Sequence, residues 1–186
     1  IDFDGLEVAN GCELQEVELV SADWFSFLNR GHRVYATGST DNHHAEKGEM
    51  GFPRTYVRMP TDDPHAARIE DVHAAFKAGR LSVSCGPFVD MKLGDKGIGD
   101  TAQVSGDSIT LYVRVAAPSW MDVTSLEVIV NGNVVKTVEV GVSEATTNRF
   151  DGQLVVPVIK GQDGWVITRV HGARRHGVWA RNRPSF

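Results

Sequence analysis

Apolar positions along the chain follow two different rhythms. From Ile1 to about Cys85, strand-like and helix-like periods alternate. Phe3 to Val8 reads as a short buried strand. Ser21 is a good N-cap for an apolar-rich helix over Ala22 to Asn29, and Gly31 is placed to stop it. Arg33 to Thr37 is a second strand, followed by the polar loop Gly38 to His44. Thr55 to Met59 is a further short strand. In Ile69 to Ala78, Ile69, Val72, Ala75 and Phe76 share one helical face, and Gly79 closes the helix. Leu81 to Cys85 is a strand that stops at Gly86-Pro87. This order predicts α/β architecture with parallel pairing.

From Phe88 onward only strands and turns are legible. Ile109, Leu111, Val113 and Val115 alternate with more polar neighbours, as in a half-buried antiparallel strand. Leu126–Val130 and Val134–Val140 flank Asn131-Gly132, a strong hairpin signal. Leu154–Ile159 and Trp165–Val170 add two strands. Short strands at this spacing predict an immunoglobulin-like β-sandwich. The glycine- and aspartate-rich stretch Gly94 to Gly106 reads as the connection between the two units. The expected division is 1–87, α/β, and 88–186, all-β.

Composition adds limits. Of 186 residues, 41% are apolar and 23% charged, which is ordinary for a folded globular chain. The net charge of −5 gives no basis for a nucleic-acid partner. No apolar run reaches the roughly 18 residues of a membrane span. Cys12 and Cys85 match no zinc or redox spacing and read as buried free thiols, with a disulfide between them as the alternative.

The residues with candidate chemistry lie at the strand-to-loop switches. Asp41 and His43 follow a strand whose C-terminal end should open onto a cleft, as in α/β sheets and barrels. Carboxylate and imidazole are ligands for zinc, manganese or iron. Two of them are only part of a site, because catalytic zinc normally has three protein ligands; the structural alternative is a polar turn in which Asp41 caps local backbone and His43 is solvent-exposed. Arg54 follows closely and suits a substrate phosphate or carboxylate; an ion pair with Glu49 or Asp41 is the structural alternative. Glu7 and Asn10 end the first strand, where they would orient metal ligands or simply brace the loop. His44 should point away from the pair, and His32, His65 and His73 read as surface residues. The basic tail (Arg169, His171, Arg174, Arg175, His176, Arg181, Arg183) reads as a solvated hairpin, with an anion or polysaccharide contact as the functional alternative. Gly94 to Gly99 resembles a nucleotide fingerprint only superficially.

Four stretches in order, FDGLEVANG (Phe3 to Gly11), DWFSFLNRGHRVYATGSTDNHH (Asp23 to His44), GFPRTYV (Gly51 to Val57) and AFKAGRLSVSCGPFV (Ala75 to Val89), resemble the PHP (polymerase and histidinol phosphatase) superfamily of metal-dependent hydrolases. The carbaryl-hydrolase-like branch, which adds a C-terminal β-domain, is the nearest in pattern, and VRVAAPSWMDVTSLEVIVNGNVV (Val113 to Val135) also looks like it. The resemblance implies a distorted (β/α) barrel with several divalent metal ions (zinc, manganese or iron). It places metal ligands at Asp41 and His43. It also implies a small-molecule phosphate ester, carbamate or amide substrate. The family's His-x-His motif is missing, as are the ligands that should follow it. The chain is therefore expected to be a C-terminal hydrolase fragment with an incomplete metal site, inactive alone. An open barrel edge should then favour self-association, or be covered by the rest of a longer polypeptide. The competing reading is a β-sandwich binding or structural module without catalysis. There Trp120, Trp165 and Trp179 would grip a carbohydrate or a protein partner.

Overall fold

A computed structural model describes residues 1–11, 14–43, 50–141 and 146–172. Among them are two helices and eleven strands, and the architecture is mainly β. The first part opens with strand β1 (Gly5–Asn10), helix α1 (Leu14–Asn29) and strand β2 (Tyr35–Ser39). β1 and β2 are parallel, with Gly5 opposite Tyr35 and Asn10 opposite Ser39, so α1 is the crossover that parallel neighbours require. The helix begins well before the expected start at Ala22. Ser21 lies within it, because Val17, Val20, Trp24 and Leu28 keep one helical period across the serine. Phe3 lies outside the strand and is exposed, whereas Val8 and Ala9 are buried.

Strands β3 (Arg54–Val57) and β4 (Leu81–Ser84) flank helix α2 (Ile69–Lys77). They pair antiparallel, Arg54 opposite Ser84, where parallel pairing was expected. The α2 face is only partly covered: Ala75 is buried, but Ile69 and Phe76 are exposed. Gly79 ends this helix region at φ 67, the left-handed conformation glycine adopts without a Cβ penalty.

The second part holds two antiparallel sheets. One contains β5 (Phe88–Leu93), β6 (Lys96–Gly97), β7 (Ser108–Ala116) and β10 (Asn148–Pro157), in the order β10-β7-β5-β6. The other contains β8 (Ser125–Val130), β9 (Asn133–Glu139) and β11 (Val166–His171), in the order β11-β8-β9. Ile109, Leu111, Val113 and Val115 of β7, Leu154 and Val156 of β10, and Leu126 and Val128 of β8 meet in one apolar core. Burying each such side chain contributes roughly 1.5–3 kcal/mol, so this core carries most of the apolar stabilisation. The β8–β9 turn has Asn131 at φ 50 and Gly132 at φ 87, the type I′ signature predicted from Asn-Gly.

Two sequence expectations fail here. Gly94 to Gly106 is not the inter-unit connection: its first part is the tight β5–β6 hairpin, which also excludes a nucleotide loop. The chain passes from β4, paired with β3, into β5 of the four-stranded sheet through the short Cys85-Gly86-Pro87 step. Cys85 is also not a free thiol; it is buried and disulfide-bonded. Cys12 lies outside the described residues. No described helix is long and apolar enough to cross a membrane.

Candidate functional site

The parallel pair β1–β2 sets the location. Its C-terminal ends, Asn10 and Ser39, are opposite each other, and the Gly11 amide donates to the Ser39 carbonyl at 3.1 Å. β2 is stitched to β3 through one side chain. The Gly38 amide donates to Thr55 Oγ1 at 2.9 Å, and the same hydroxyl donates to the Gly38 carbonyl at 2.9 Å. A Cβ on Gly38 would sit 2.6 Å from Val83 Cγ1, so only glycine lets β2 lie this close to β4. Because Gly38 meets both Thr55 and Val83, Ser39, Arg54 and Ser84 are brought to the same end of the strands.

Asp41 sits two residues beyond β2 at φ 49, a left-handed conformation that aspartate tolerates better than most residues. Its Oδ1 is 3.1 Å from His43 Nε2. Both side chains are open to solvent, 50% and 73% exposed, so the contact is weak by itself. Thr40 Oγ1 accepts from the Gly51 amide at 3.0 Å, which ties the loop carrying Asp41 to the segment leading into β3.

Glu7 and Asn10 form their own cluster at this end. The Glu7 carboxylate accepts from the Ser39 hydroxyl and from Asn10 Nδ2, the latter at 3.2 Å. This network braces the β1 and β2 termini just before Asp41. Ser39 was not singled out from the sequence; it ends β2 opposite Asn10, and its partner Glu7 comes from the other strand.

Arg54 begins β3. Its guanidinium carbon lies 5.4 Å from the centre of the Tyr56 ring, within cation–π range. Its Nε–H is buried and has no hydrogen-bond partner among the described residues. The alternative reading, an ion pair with Asp41, does not form; Glu49 and His44 lie outside the described residues. Tyr56 in turn meets Phe88 edge to face, centroids 5.4 Å apart, so the stack continues into the first strand of the second part.

The donor types at Asp41 and His43 suit zinc, manganese or iron. They supply two protein ligands, and no further His, Cys, Asp or Glu joins them in a group of three among the described residues. Two donors fall short of the three protein ligands that a catalytic zinc site normally has. Two surface cavities lie elsewhere. One, about 360 Å³, is at the opposite strand ends, lined by Arg58, Arg80, Asp71, Asp100 and Ile98. The other, about 430 Å³, runs between β1 and α1, lined by Leu6, Val20, Asp23, Phe27 and Arg30. Neither contains Asp41, His43 or Arg54.

The remaining candidates separate. His65 and His73 are exposed, and His32 packs its ring against Phe27. Arg169 and His171 both reach Glu127 across the β8–β11 pair, Arg169 Nη2 at 2.8 Å and His171 Nε2 at 3.0 Å. Burial opposes ionisation of Glu127, but the hydrogen bonds and charges of His171 and Arg169 outweigh it and hold its carboxyl below the ordinary value. The other basic tail residues lie outside the described residues, as does Trp179. Trp165 is held against α1: its Nε1 donates to Asn29 Oδ1 at 2.8 Å and its ring is 4.9 Å from Phe25. Trp120 is 62% exposed on the β7–β8 loop. The described tryptophans therefore form no flat row. The chain matches no protein-family model, no curated protein and no solved structure.

Proposed function

We propose that this chain is the C-terminal part of a metal-dependent hydrolase of PHP type. Residues 1–87 would complete a distorted (β/α) barrel, and residues 88–186 an immunoglobulin-like sandwich. The observation that carries the reading is the Asp41 carboxylate 3.1 Å from the His43 imidazole, at the C-terminal end of a parallel strand pair. That end is where α/β folds place their ligands. Asp41 and His43 hold a divalent metal ion together with ligands from elsewhere. When bound, the metal polarises an ester or amide and lowers the pKa of water, to about 7 in the best zinc cases. Glu7, Ser39 and Asn10 keep the strand ends fixed beneath the pair. Arg54 takes the anionic portion of a small phosphate ester, carbamate or amide.

The test is a zinc and manganese titration against a chromophoric chelator, with Asp41→Ala and His43→Ala alongside the unaltered chain. Each substitution removes a ligand, so it is expected to weaken metal binding by at least the roughly 10–100-fold that loss of a mere outer-shell partner costs. Equal affinity in all three proteins would sink the proposal. The second reading, a binding module, is favoured by Trp120 alone. It predicts carbohydrate or protein binding that Trp120→Ala abolishes while Asp41→Ala leaves it intact.

A further inference from the structure

We infer that Phe88 is a positioning residue for Arg54, so that the β-rich second part holds one wall of the anion site. The inference rests on Arg54 being the anion-binding group of the proposed hydrolase. Three contacts lead to it. Phe52 packs against the apolar core shared by the two sandwich sheets, and Pro53 is fully buried, so the segment entering β3 is anchored on the second part. Arg54 then lies over the Tyr56 ring at 5.4 Å, and Tyr56 stands edge to face on Phe88 at 5.4 Å. Phe88 is itself fixed by register, opposite Ala116 at the start of β5.

This stack replaces the carboxylate partner that usually fixes an arginine. Arg58 has Asp90 at 2.5 Å and Arg169 has Glu127 at 2.8 Å, whereas Arg54 has no ion pair among the described residues and an unbonded Nε–H. A buried donor left unbonded is a cost that an arriving oxyanion relieves. An aromatic stack fixes direction without neutralising charge, so the guanidinium stays available to phosphate or carboxylate oxygens. Ring–ring and cation–π contacts of this size are each worth enough to change an anion's affinity several-fold.

The experiment titrates inorganic phosphate, followed by calorimetry, into the unaltered protein and into Arg54→Ala, Phe88→Leu and Phe88→Tyr. Phe88→Leu keeps apolar bulk at the strand start but removes the ring; Phe88→Tyr keeps the ring. Phosphate affinity is expected to fall roughly tenfold in Phe88→Leu and to be retained in Phe88→Tyr. Zinc affinity at Asp41 and His43 should be unchanged in both. Phosphate binding that survives in Phe88→Leu but is lost in Arg54→Ala overturns the role of Phe88 and leaves the Arg54 reading standing. Phosphate binding unaffected by Arg54→Ala overturns both. Should Phe88→Leu fail to fold, Phe88→Met removes the ring with a side chain of similar bulk and is read in the same way.

Discussion

Backbone conformation and the space around a Cβ make separate demands on a glycine, and this chain offers a clean contrast. Gly31 and Gly99 both have positive φ, 80 and 88. A Cβ on Gly31 would meet nothing within 4 Å, whereas one on Gly99 would lie 2.4 Å from the Ala78 carbonyl oxygen and 2.7 Å from Gly79 backbone atoms. Backbone cannot move aside as a flexible side chain can. Gly31→Ala should therefore cost about 1 kcal/mol, from conformation alone. Gly99→Ala should cost at least about 2–3 kcal/mol, because the β5–β6 hairpin must lift away from the end of α2. Urea denaturation of the two variants checks this, and equal losses would show that the close approach at Gly99 is unimportant. Both glycines were visible in the sequence, but only Gly31, at a helix end, had a readable purpose. The same limit applied at the candidate site. Asp41 and His43 stood out because donor type and spacing are local. Ser39 and Phe88 did not, because their partners come from other strands.

Elements were legible where one local rule governs them. Asn131-Gly132 demanded a type I′ turn, and the alternation in β7 demanded one buried face; both are present. The start of α1 was misplaced because Ser21 suits a cap, yet the apolar period across it outweighs the small helix cost of one serine. β5 escaped notice because it is squeezed between Gly86-Pro87 and Gly94, which read as breakers. The β8–β11 pair offers a test at this scale. Its cross-strand cluster holds the Glu127 carboxyl below its ordinary value of 4.5. A carboxyl depressed in the folded state contributes stability that is fully present above its unfolded pKa and is lost as pH falls through the folded one. The window therefore opens near 4.5 and extends downward. Thermal midpoints should fall more steeply between about pH 5 and pH 3 in the unaltered chain than in Glu127→Gln. Glu127→Gln should also be the less stable protein at neutral pH. Parallel pH curves for the two would mean the cluster contributes nothing.

At the scale of the whole molecule, the two parts are joined by more than their short covalent link. Trp165, just before β11, is hydrogen-bonded to Asn29 of α1, Arg58 and Asp90 connect the end of β3 to β5, and Tyr56 meets Phe88. The second part therefore braces the first along several elements, while the far side of the first part is left open. β1 pairs with β2 on one edge and with no strand among the described residues on the other. In the same part of the chain Ile1, Phe3 and Leu19 are 57%, 47% and 64% exposed, and the groove between β1 and α1 is lined by Leu6, Val20 and Phe27. Strands of parallel sheets are usually covered, and an uncovered edge with apolar flanks is a template for pairing. The chain on its own should therefore associate with itself in a concentration-dependent way. Leu6→Lys places a charge at the groove, which should disfavour a second chain there without touching the sandwich core. Sedimentation velocity across a dilution series should show the unaltered chain shifting to faster species as concentration rises, and Leu6→Lys remaining slow. A single monomer boundary for the unaltered chain at every concentration would mean that this edge is already sufficiently shielded by its own twist and flanking side chains.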